Sequence, residues 1–375
     1  MKSNPLTRVC ELGQSLWLDY IQRDMLENGE LQRLIRDDGI SGITSNPAIL
    51  AKAIGDHHEY DDAIAEAVRH GTGAPALYEA LVLADVQAAA DCFRQVYEHS
   101  GARDGYVSLE VSPHLAHDTA GTIGEARRLW QLFGRDNAMI KVPATRAGIP
   151  AIATLVADGI NINATLLFSL PRYREVADAY LQGLEWRLDG GLPIDRIASV
   201  ASFFLSRIDV LIDADLDRRL AQDPELGRHD AALRGQVAVA CAKLAYQDFK
   251  QLFQDARWRR LAQRGGRPQR LLWASTSTKD PAYSDVKYVD ALIGADTVNT
   301  LPPETLAAYR DHGQPAARLE SDVAAARDIL QRLPAAGIDL TAAAKRLEQE
   351  GVDKFIKPYD QLLALLGQRT TNPGA

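Results

Sequence analysis

Lys141 lies in the middle of a short, mostly apolar stretch, Ala138-Met139-Ile140-Lys141-Val142-Pro143-Ala144-Thr145. An apolar run of this length with a proline near its end is typical of a buried strand. Lysine is depleted in strands and is rarely buried without a partner. An apolar site favours the neutral amine, which can attack a carbonyl carbon. The stretch alone leaves two interpretations open, a nucleophilic lysine and, as the commoner alternative, a strand-end lysine that extends to solvent. The neighbouring strands favour the nucleophile.

Polar side chains recur on one face of the other predicted strands. Because strand side chains alternate, Glu110 shares a face with Ser108, and Asn163 shares one with Asn161 and Thr165. The full set on these faces is Asp19, Thr44, Asn46, Ser108, Glu110, Ser112, Asn161, Asn163, Thr165, Ser202 and Ser275. Nearly all are amides, hydroxyls or single carboxylates, whereas the solvated face of an antiparallel sheet, the alternative, favours scattered long charged side chains.

These residue types fit one kind of chemistry. A buried lysine can form a Schiff base with a ketone. Asp19 and Glu110, on separate strands, can divide the proton transfers if their environments separate their pKa values. Asn46, Asn163 and Thr165 are suited to holding the hydroxyl groups of a polyol or a water. The set predicts an enzyme that breaks or makes a carbon–carbon bond next to a ketone, through an enamine.

Two further stretches have the composition of a phosphate site. Arg207 lies in Ser206-Arg207-Ile208-Asp209, and the loop after the seventh predicted strand reads Ser275-Thr276-Ser277-Thr278-Lys279. Hydroxyls, backbone amides at a helix start and a cation together bind anions well. Barrel enzymes often bind phosphate near the loops after strands seven and eight. The alternative for the second stretch is a solvated turn, where runs of Ser and Thr are common.

Alternating strands and helices must position these residues. Strands are predicted at residues 15–20, 42–46, 106–112, 138–145, 159–169, 197–203, 271–276 and 296–300. Helices are predicted at residues 26–36, 121–133, 149–157, 171–187 and 231–261, and over much of 58–98. This alternation predicts an α/β fold with a parallel sheet, most simply a (β/α)8 TIM barrel. A doubly wound open sheet is the alternative, although no Gly-x-Gly-x-x-Gly follows the first strand.

The C-terminal part is predicted to be helical from residue 321 to residue 368, followed by a frayed tail at residues 370–375. No linker rich in Pro, Gly or Ser and no repeat of fixed period divides the chain. We therefore expect one barrel domain spanning residues 1–375, with residues 321–368 packed on it as a helical extension.

Composition limits the function classes. The 375 residues are 46% hydrophobic and 25% charged, with a net charge of −8 and no basic stripe, which argues against nucleic acid or an anionic membrane as partner. We expect no signal peptide and no membrane span, because no apolar run is long enough. Three widely spaced cysteines, Cys10, Cys92 and Cys241, suit a reducing compartment. These features predict a cytoplasmic protein.

Histidines offer a metal-site alternative. His114 and His117 are three residues apart, and His57 and His58 are adjacent. Neither pair has a cysteine or a third ligand at the spacing usual for zinc. We interpret them as structural or surface residues and expect no metal.

Three stretches resemble the signature sequences of the transaldolase family: Gly42-Ile43-Thr44-Ser45-Asn46-Pro47, Ile140-Lys141-Val142-Pro143-Ala144-Thr145 and Gly159-Ile160-Asn161-Ile162-Asn163-Ala164-Thr165-Leu166-Leu167-Phe168-Ser169. The resemblance runs from about Leu16 to the C-terminal helices. It implies a (β/α)8 barrel that moves a dihydroxyacetone unit from sedoheptulose 7-phosphate to glyceraldehyde 3-phosphate, giving erythrose 4-phosphate and fructose 6-phosphate. The reaction belongs to the non-oxidative pentose phosphate pathway and needs no metal or organic cofactor.

The resemblance also implies roles for individual residues. Lys141 resembles the Schiff-base lysine, and Asp19 and Glu110 the acid–base carboxylates, with Glu110 acting through a water that Thr165 helps to hold. The substrate-binding residues implied are Thr44, Asn46, Asn163, Ser202 and Arg207. Many family members carry Ser-Phe-Arg after the seventh strand, whereas this chain has Ser275-Thr276-Ser277, as in a longer bacterial branch. We expect Ser275, Ser277 and Lys279 to replace that arginine at the phosphate.

Two other functions remain open from the residues. A plain Schiff-base aldolase would use the same lysine but release free dihydroxyacetone. A barrel that only binds sugar phosphates or a protein partner would need a decayed site, yet Asp19, Asn46, Glu110, Lys141 and Asn163 are all present. The sequence leaves both a monomer and a homodimer open.

Overall fold

Eight parallel strands form a closed barrel in which neighbours follow chain order. The computed structural model describes residues 4–222 and 231–371. The strands are β1 (Gln14–Asp19), β2 (Ile40–Thr44), β3 (Tyr106–Glu110), β4 (Ala138–Pro143), β5 (Ile162–Leu167), β6 (Ser199–Phe204), β7 (Arg270–Ala274) and β8 (Thr297–Leu301). The predicted (β/α)8 barrel is confirmed, and both the open doubly wound sheet and the antiparallel sheet are wrong.

Helices cover the outside of the barrel. In the described part of the chain they are α1 (Pro5–Glu11), α2 (Arg23–Glu27), α3 (Glu30–Asp38), α4 (Pro47–Asp56), α5 (Asp61–Arg69), α6 (Ala74–Cys92), α7 (Arg94–His99), α8 (Thr119–Phe133), α9 (Gly148–Asp158), α10 (Leu170–Asp189), α11 (Ser206–Gln222), α12 (Val237–Leu252), α13 (Ala256–Ala262), α14 (Lys287–Ala291), α15 (Pro303–His312), α16 (Val323–Arg332) and α17 (Leu340–Thr371). Single 3₁₀ turns lie at Pro113–Leu115 and Ala231–Leu233.

The strands are buried on both faces. Every residue of β4 is buried, including the lysine, as the continuous apolar run predicted. Inside the barrel, Trp17 on β1 is buried against β2, where Gly42 leaves room for its ring. A Cβ at Gly42 would lie 2.7 Å from the indole, so a larger residue there would displace Trp17.

A buried ion pair fills the N-terminal end of the barrel. Arg270, the first residue of β7, donates to the carboxylate of Asp104 at 3.0 Å and to Ser15 Oγ at 2.7 Å. Ser15 and the Trp17 indole also donate to Asp104. Burial acts to raise the pKa of Asp104, but Arg270 and these donors outweigh burial and hold the pKa below its usual value. With this end filled by side chains, the opposite end is left for chemistry.

Several predicted boundaries are wrong. Predicted helix 26–36 is two helices, because Gly29 between them has φ +83°. The predicted helical region 231–261 contains α12 and α13, and the predicted helical extension 321–368 contains α16 and most of α17. The helices α4, α11 and α15, directly after β2, β6 and β8, are not in the prediction at all. Of the predicted frayed tail, residues 370–371 belong to α17, and residues 372–375 lie outside the described part of the chain.

The predicted alternation also fails at the end of β5. Leu166 has φ +62°, a left-handed conformation that is rare for a leucine, and the pairing with β6 shifts register between Ala164 and Leu167. The predicted strand 159–169 is accordingly shorter. Asn161, at its start, is not directed into the site, because its amide donates to the carbonyls of Asp136 and Ala138.

The last helix, α17, packs against α4, α5 and α6 and reaches β5, so it lies beside the C-terminal end of the barrel. Pro358 is inside this helix. No helix within residues 4–222 and 231–371 is long and apolar enough to cross a membrane.

Candidate active site

A cavity of about 920 Å³ opens at the C-terminal ends of the strands. Its wall contains most of the residues predicted for the site: Asp19, Thr44, Asn46, Lys141, Thr165, Ser202, Arg207, Ser275, Ser277 and Lys279. These residues come from both halves of the chain, and the barrel brings them together because all its parallel strands end at the same face.

Lys141 is buried in the wall of this cavity, with 4% of its surface exposed. The register of the sheet pairs Lys141 with Glu110 on β3 and with Asn163 on β5, so the three residues lie at one level. Lys141 Nζ donates to the carbonyl oxygen of Ser45 at 2.9 Å and lies 3.5 Å from Glu110 Oε2. The lysine therefore does not extend to solvent, and the alternative interpretation of this strand is wrong.

The Glu110 side chain is 4% exposed and lies beside Lys141 Nζ. Burial raises its pKa to about 7, and the attraction of Lys141 offsets only part of this effect. Apart from that contact, neither carboxylate oxygen has a hydrogen-bond partner in the described part of the chain. A carboxyl group with a pKa near neutrality can both give and take a proton.

Asp19 lies at the end of β1, where it accepts a hydrogen bond from Thr44 Oγ1 at 2.7 Å. Thr44 Oγ1 also lies 2.7 Å from Thr300 Oγ1 on β8. Burial raises the pKa of Asp19, while Lys141 and the Thr44 hydrogen bond act to lower it. Asp19 and Glu110 therefore both interact electrostatically with Lys141, but Asp19 also accepts a hydrogen bond from Thr44.

A chain of hydrogen bonds joins three strands beside the lysine. Ser202 Oγ donates to Asn163 Oδ1 at 2.6 Å, and Asn163 Nδ2 donates to Ser108 Oγ at 3.0 Å. Thr165 Oγ1 is buried without a partner among the described residues. Leaving a buried hydroxyl unpaired costs about 1–3 kcal/mol, so a ligand or a water that pairs with it would be bound favourably.

The two polar groups of the Asn46 side chain have different roles. Its Oδ1 accepts hydrogen bonds from the backbone amides of Ala48 and Ile49, which caps α4, and Pro47 occupies the first turn. Because the cap uses the oxygen, the amide NH2 at the cavity wall can donate to a substrate hydroxyl.

Arg207, in the first turn of α11, is held over the Phe204 ring at 5.1 Å. Burial lowers the pKa of Arg207, and its Nη1 is buried without a hydrogen-bond partner among the described residues. A guanidinium with a free donor beside a polar cavity is well suited to phosphate.

The loop after β7 lies beside this arginine. Ser275 has φ +56°, and its Oγ lies 2.8 Å from Ser206 Oγ, the residue before Arg207. Lys279 Nζ donates to Ser277 Oγ at 2.6 Å. Two hydroxyls and an ammonium thus occupy the wall on the same side as Arg207.

Sequence reasoning missed the contribution of α17. Phe355 lies over Lys141, with Nζ 5.6 Å from the ring centroid, and Lys354 beside it also lines the cavity. It also missed Thr300 on β8 and Lys52 on α4. The strand-end position of Thr300 was a usable signal, whereas nothing in the sequence near Phe355 places it at the barrel mouth.

The histidines contribute to surface contacts. His114 lies 2.7 Å from Asp360 and His58 lies 2.9 Å from Asp61. In the described part of the chain no three His, Cys, Asp or Glu side chains converge as metal ligands would.

Comparison with known proteins identifies the family. Residues 16–366 match the family model described as Transaldolase/Fructose-6-phosphate aldolase. Transaldolase 2 of Nostoc sp. is 50% identical over 368 residues, 97% of each chain. Transaldolases of Trichodesmium erythraeum and Thiobacillus denitrificans are 46% and 48% identical over 98% and 96% of this chain, and over 98% of each relative. The chain belongs to the transaldolase/fructose-6-phosphate aldolase family.

Proposed function

We propose that this protein is a transaldolase, a transferase that moves a dihydroxyacetone unit from sedoheptulose 7-phosphate to glyceraldehyde 3-phosphate through a Schiff base on Lys141. The products are erythrose 4-phosphate and fructose 6-phosphate, in the non-oxidative pentose phosphate pathway. The observation that carries the proposal is the buried amine of Lys141. It lies 3.5 Å from Glu110, and Lys141 lines a cavity large enough for a sugar phosphate.

The first step forms the covalent intermediate. Lys141 Nζ attacks C2 of the ketose, and the carbinolamine then loses its oxygen as water. Glu110 takes a proton from the amine and returns one to the departing oxygen, through a water held by Thr165. Support for this role comes from the pKa of about 7, which lets Glu110 exchange protons in both directions near neutral pH.

The second step breaks the carbon–carbon bond. Asp19 takes the proton of the C4 hydroxyl, the C3–C4 bond breaks, and its electrons enter the enamine while the aldehyde phosphate leaves. In the reverse direction C3 of the enamine attacks the carbonyl carbon of the acceptor, and Asp19 returns the proton to the new hydroxyl. No metal or organic cofactor takes part, because the protonated Schiff base is the electron acceptor.

The remaining polar residues hold the substrate. Thr44, Asn46, Asn163 and Ser202 bind the hydroxyls of the dihydroxyacetone unit, and the phosphate binds to Arg207 with Ser275, Ser277 and Lys279. This assignment is supported by the polar atoms they place in or beside the cavity wall and by the unpaired Nη1 of Arg207. Since a single chain supplies the whole wall, a monomer or a homodimer can be active. The free cysteines suit the cytoplasm.

The experiment that tests the proposal is borohydride reduction in the presence of fructose 6-phosphate, followed by mass mapping of the peptides. We expect a dihydroxyacetone-sized adduct on Lys141 in the wild type and none in Lys141→Ala, which should fold because the change removes one amine at a cavity wall. Arg8→Ala, altered at an exposed ion pair on the protein surface, is the control and should be labelled like the wild type. Absence of the adduct, or an adduct on Lys279, would refute the proposal.

A fructose-6-phosphate aldolase is the second candidate, because the family description includes that activity. It would use the same covalent chemistry and release free dihydroxyacetone. Cleavage of fructose 6-phosphate should be slow without an acceptor aldehyde and fast with erythrose 4-phosphate. Rapid turnover with no acceptor would assign the chain to the aldolase activity instead.

A further inference from the structure

One apolar side chain covers the amine of Lys141. Phe355 lies with its ring centroid 5.6 Å from Nζ, is 4% exposed and lines the same cavity. The polar contacts of Nζ are of a different kind, with the Ser45 carbonyl at 2.9 Å and Glu110 at 3.5 Å. The ring therefore gives the amine an apolar boundary on a side where a polar residue would admit water.

The position of this ring depends on contacts of α17 on either side of it. One turn before Phe355, Gly351 approaches β5 so closely that an added Cβ would lie 2.9 Å from Leu166 Cδ2. One turn after it, Tyr359 makes an edge contact with Tyr78 of α6, with centroids 5.2 Å apart. The helix is thus held against two elements, and Phe355 is fixed between these contacts.

We propose that Phe355 is a positioning residue that decides the fate of the dihydroxyacetone intermediate, by keeping water away from C3 of the enamine, the carbon that either attacks the aldehyde or takes a proton. This inference rests on the proposed Schiff-base function. With the ring in place, the enamine persists until an aldehyde enters, and the enzyme transfers the three-carbon unit. Without the ring, water competes with the acceptor.

The two fates differ in what bonds to C3. In transfer, C3 of the enamine forms a bond with the aldehyde carbon, whose oxygen takes a proton, and water then adds to C2 of the new Schiff base, so that the C2–N bond breaks and the longer ketose phosphate leaves Lys141. In hydrolysis, C3 takes a proton, water adds to C2, the C2–N bond breaks, and nitrogen keeps the electron pair. The products of hydrolysis are free dihydroxyacetone and the amine of Lys141, with no oxidant or reductant.

The test compares Phe355→Ala and Phe355→Leu with the wild type. Each enzyme receives fructose 6-phosphate and erythrose 4-phosphate, and the measured quantity is the ratio of free dihydroxyacetone to transferred product. We expect this ratio to rise by about tenfold or more in Phe355→Ala, because the space left by the ring admits water to the enamine. A smaller rise is expected in Phe355→Leu, which keeps an apolar side chain without the flat ring.

The matched control is Leu362→Ala, because Leu362 is buried in the same helix but does not line the cavity. This control should keep the wild-type ratio even if its stability falls, since a ratio of products does not depend on the amount of folded enzyme. A wild-type ratio in the Phe355 variants that fold would overturn the inference, as would an equal rise in Leu362→Ala. Failure of the proposed function is a separate result, seen as no borohydride adduct on wild-type Lys141.

Discussion

The two carboxyl groups of the site differ in their surroundings although both are buried. Asp19 accepts a hydrogen bond from Thr44, whereas the contact of Glu110 is with Lys141 at 3.5 Å and its oxygens have no hydrogen-bond partner within residues 4–222 and 231–371. A hydrogen bond to the ionised form stabilises it, so environments of this kind separate the tasks of two chemically similar groups. We assign proton transfer at nitrogen to Glu110 and proton transfer at the sugar hydroxyl to Asp19.

The pH dependence of Glu110→Gln tests the first assignment. In the wild type, kcat/KM for fructose 6-phosphate should fall as the pH drops below about 7, because Glu110 becomes protonated and no longer accepts the proton of the amine. In Glu110→Gln this limb should disappear, and above pH 7 kcat/KM should be lower than in the wild type by about 100-fold to 10,000-fold. If kcat/KM of Glu110→Gln still fell below pH 7, the ionisation that causes this fall would belong to another group.

Asp19→Asn tests the second assignment. The amide cannot take the proton of the C4 hydroxyl, so kcat should fall by about 100-fold to 10,000-fold. Schiff-base formation does not need this transfer, and borohydride with fructose 6-phosphate should therefore still label Lys141. Loss of the label together with loss of turnover would mean that Asp19 acts before bond cleavage.

At this scale the sequence was informative wherever a polar side chain interrupts an apolar strand. Lys141 and Glu110 could be found this way because alternation and burial are local properties. Asn161 satisfies the same pattern, but it lies at the start of β5 and bonds to neighbouring backbone, so position along the strand decides its role. Phe355 could not be found, since only the folded chain brings α17 over β4.

At the scale of elements, the barrel separates a stabilising end from a reactive end. The N-terminal end holds Arg270 and Asp104, with side chains 7% and 12% exposed, whereas the C-terminal end holds the cavity. Every element boundary that the sequence analysis got wrong lies in a connection or at a strand end. The helix α4 shows why: its start depends on capping by Asn46, which the sequence analysis assigned to the preceding strand.

Arg270→Ala tests the stabilising end. Removing the guanidinium leaves Asp104 buried and unpaired, which should lower the free energy of unfolding by about 3–5 kcal/mol. Urea denaturation measures this, and kcat of the folded variant should stay near the wild-type value. Arg8→Ala is the control, since the pair of Arg8 with Glu11 is exposed and should matter little. If Arg270→Ala lowered the free energy of unfolding as little as Arg8→Ala, the ion pair at the N-terminal end of the barrel would not be stabilising.

The ion pair of Arg270 with Asp104 also predicts that the free energy of unfolding falls in acid. The pKa of Asp104 is lower in the folded protein than in the unfolded chain, so its stabilising contribution is present above the unfolded pKa of about 3.9. That contribution is lost as the pH falls through the folded pKa. The difference in unfolding free energy between the wild type and Asp104→Asn should therefore narrow below about pH 4. If the difference in unfolding free energy stayed constant from pH 7 to pH 3, the Asp104 carboxylate would not be the source of the stabilisation.

At the scale of the whole molecule, α17 connects regions far apart in sequence. It packs on α4, α5 and α6, contacts β5 and supplies a residue to the cavity wall. The sequence predicted helices here and a place for them on the barrel, from the absence of a linker. The division of this region into two helices and the position of Phe355 over Lys141 depend on long-range packing, which no local pattern encodes.

We therefore expect barrel and last helix to unfold as one cooperative unit, and Leu366→Ala tests this. Leu366 is buried in α17, so truncation should cost about 2–5 kcal/mol. If the helix and the barrel are coupled, the urea midpoint reported by the buried Trp17 and Trp273 should fall together with the midpoint reported by hydrogen exchange in Leu340–Thr371. Gln361→Ala, at an exposed position of the same helix, is the control and should change neither midpoint. A lower midpoint for the helix alone would mean that α17 detaches before the barrel unfolds, and the site would then open without loss of the fold.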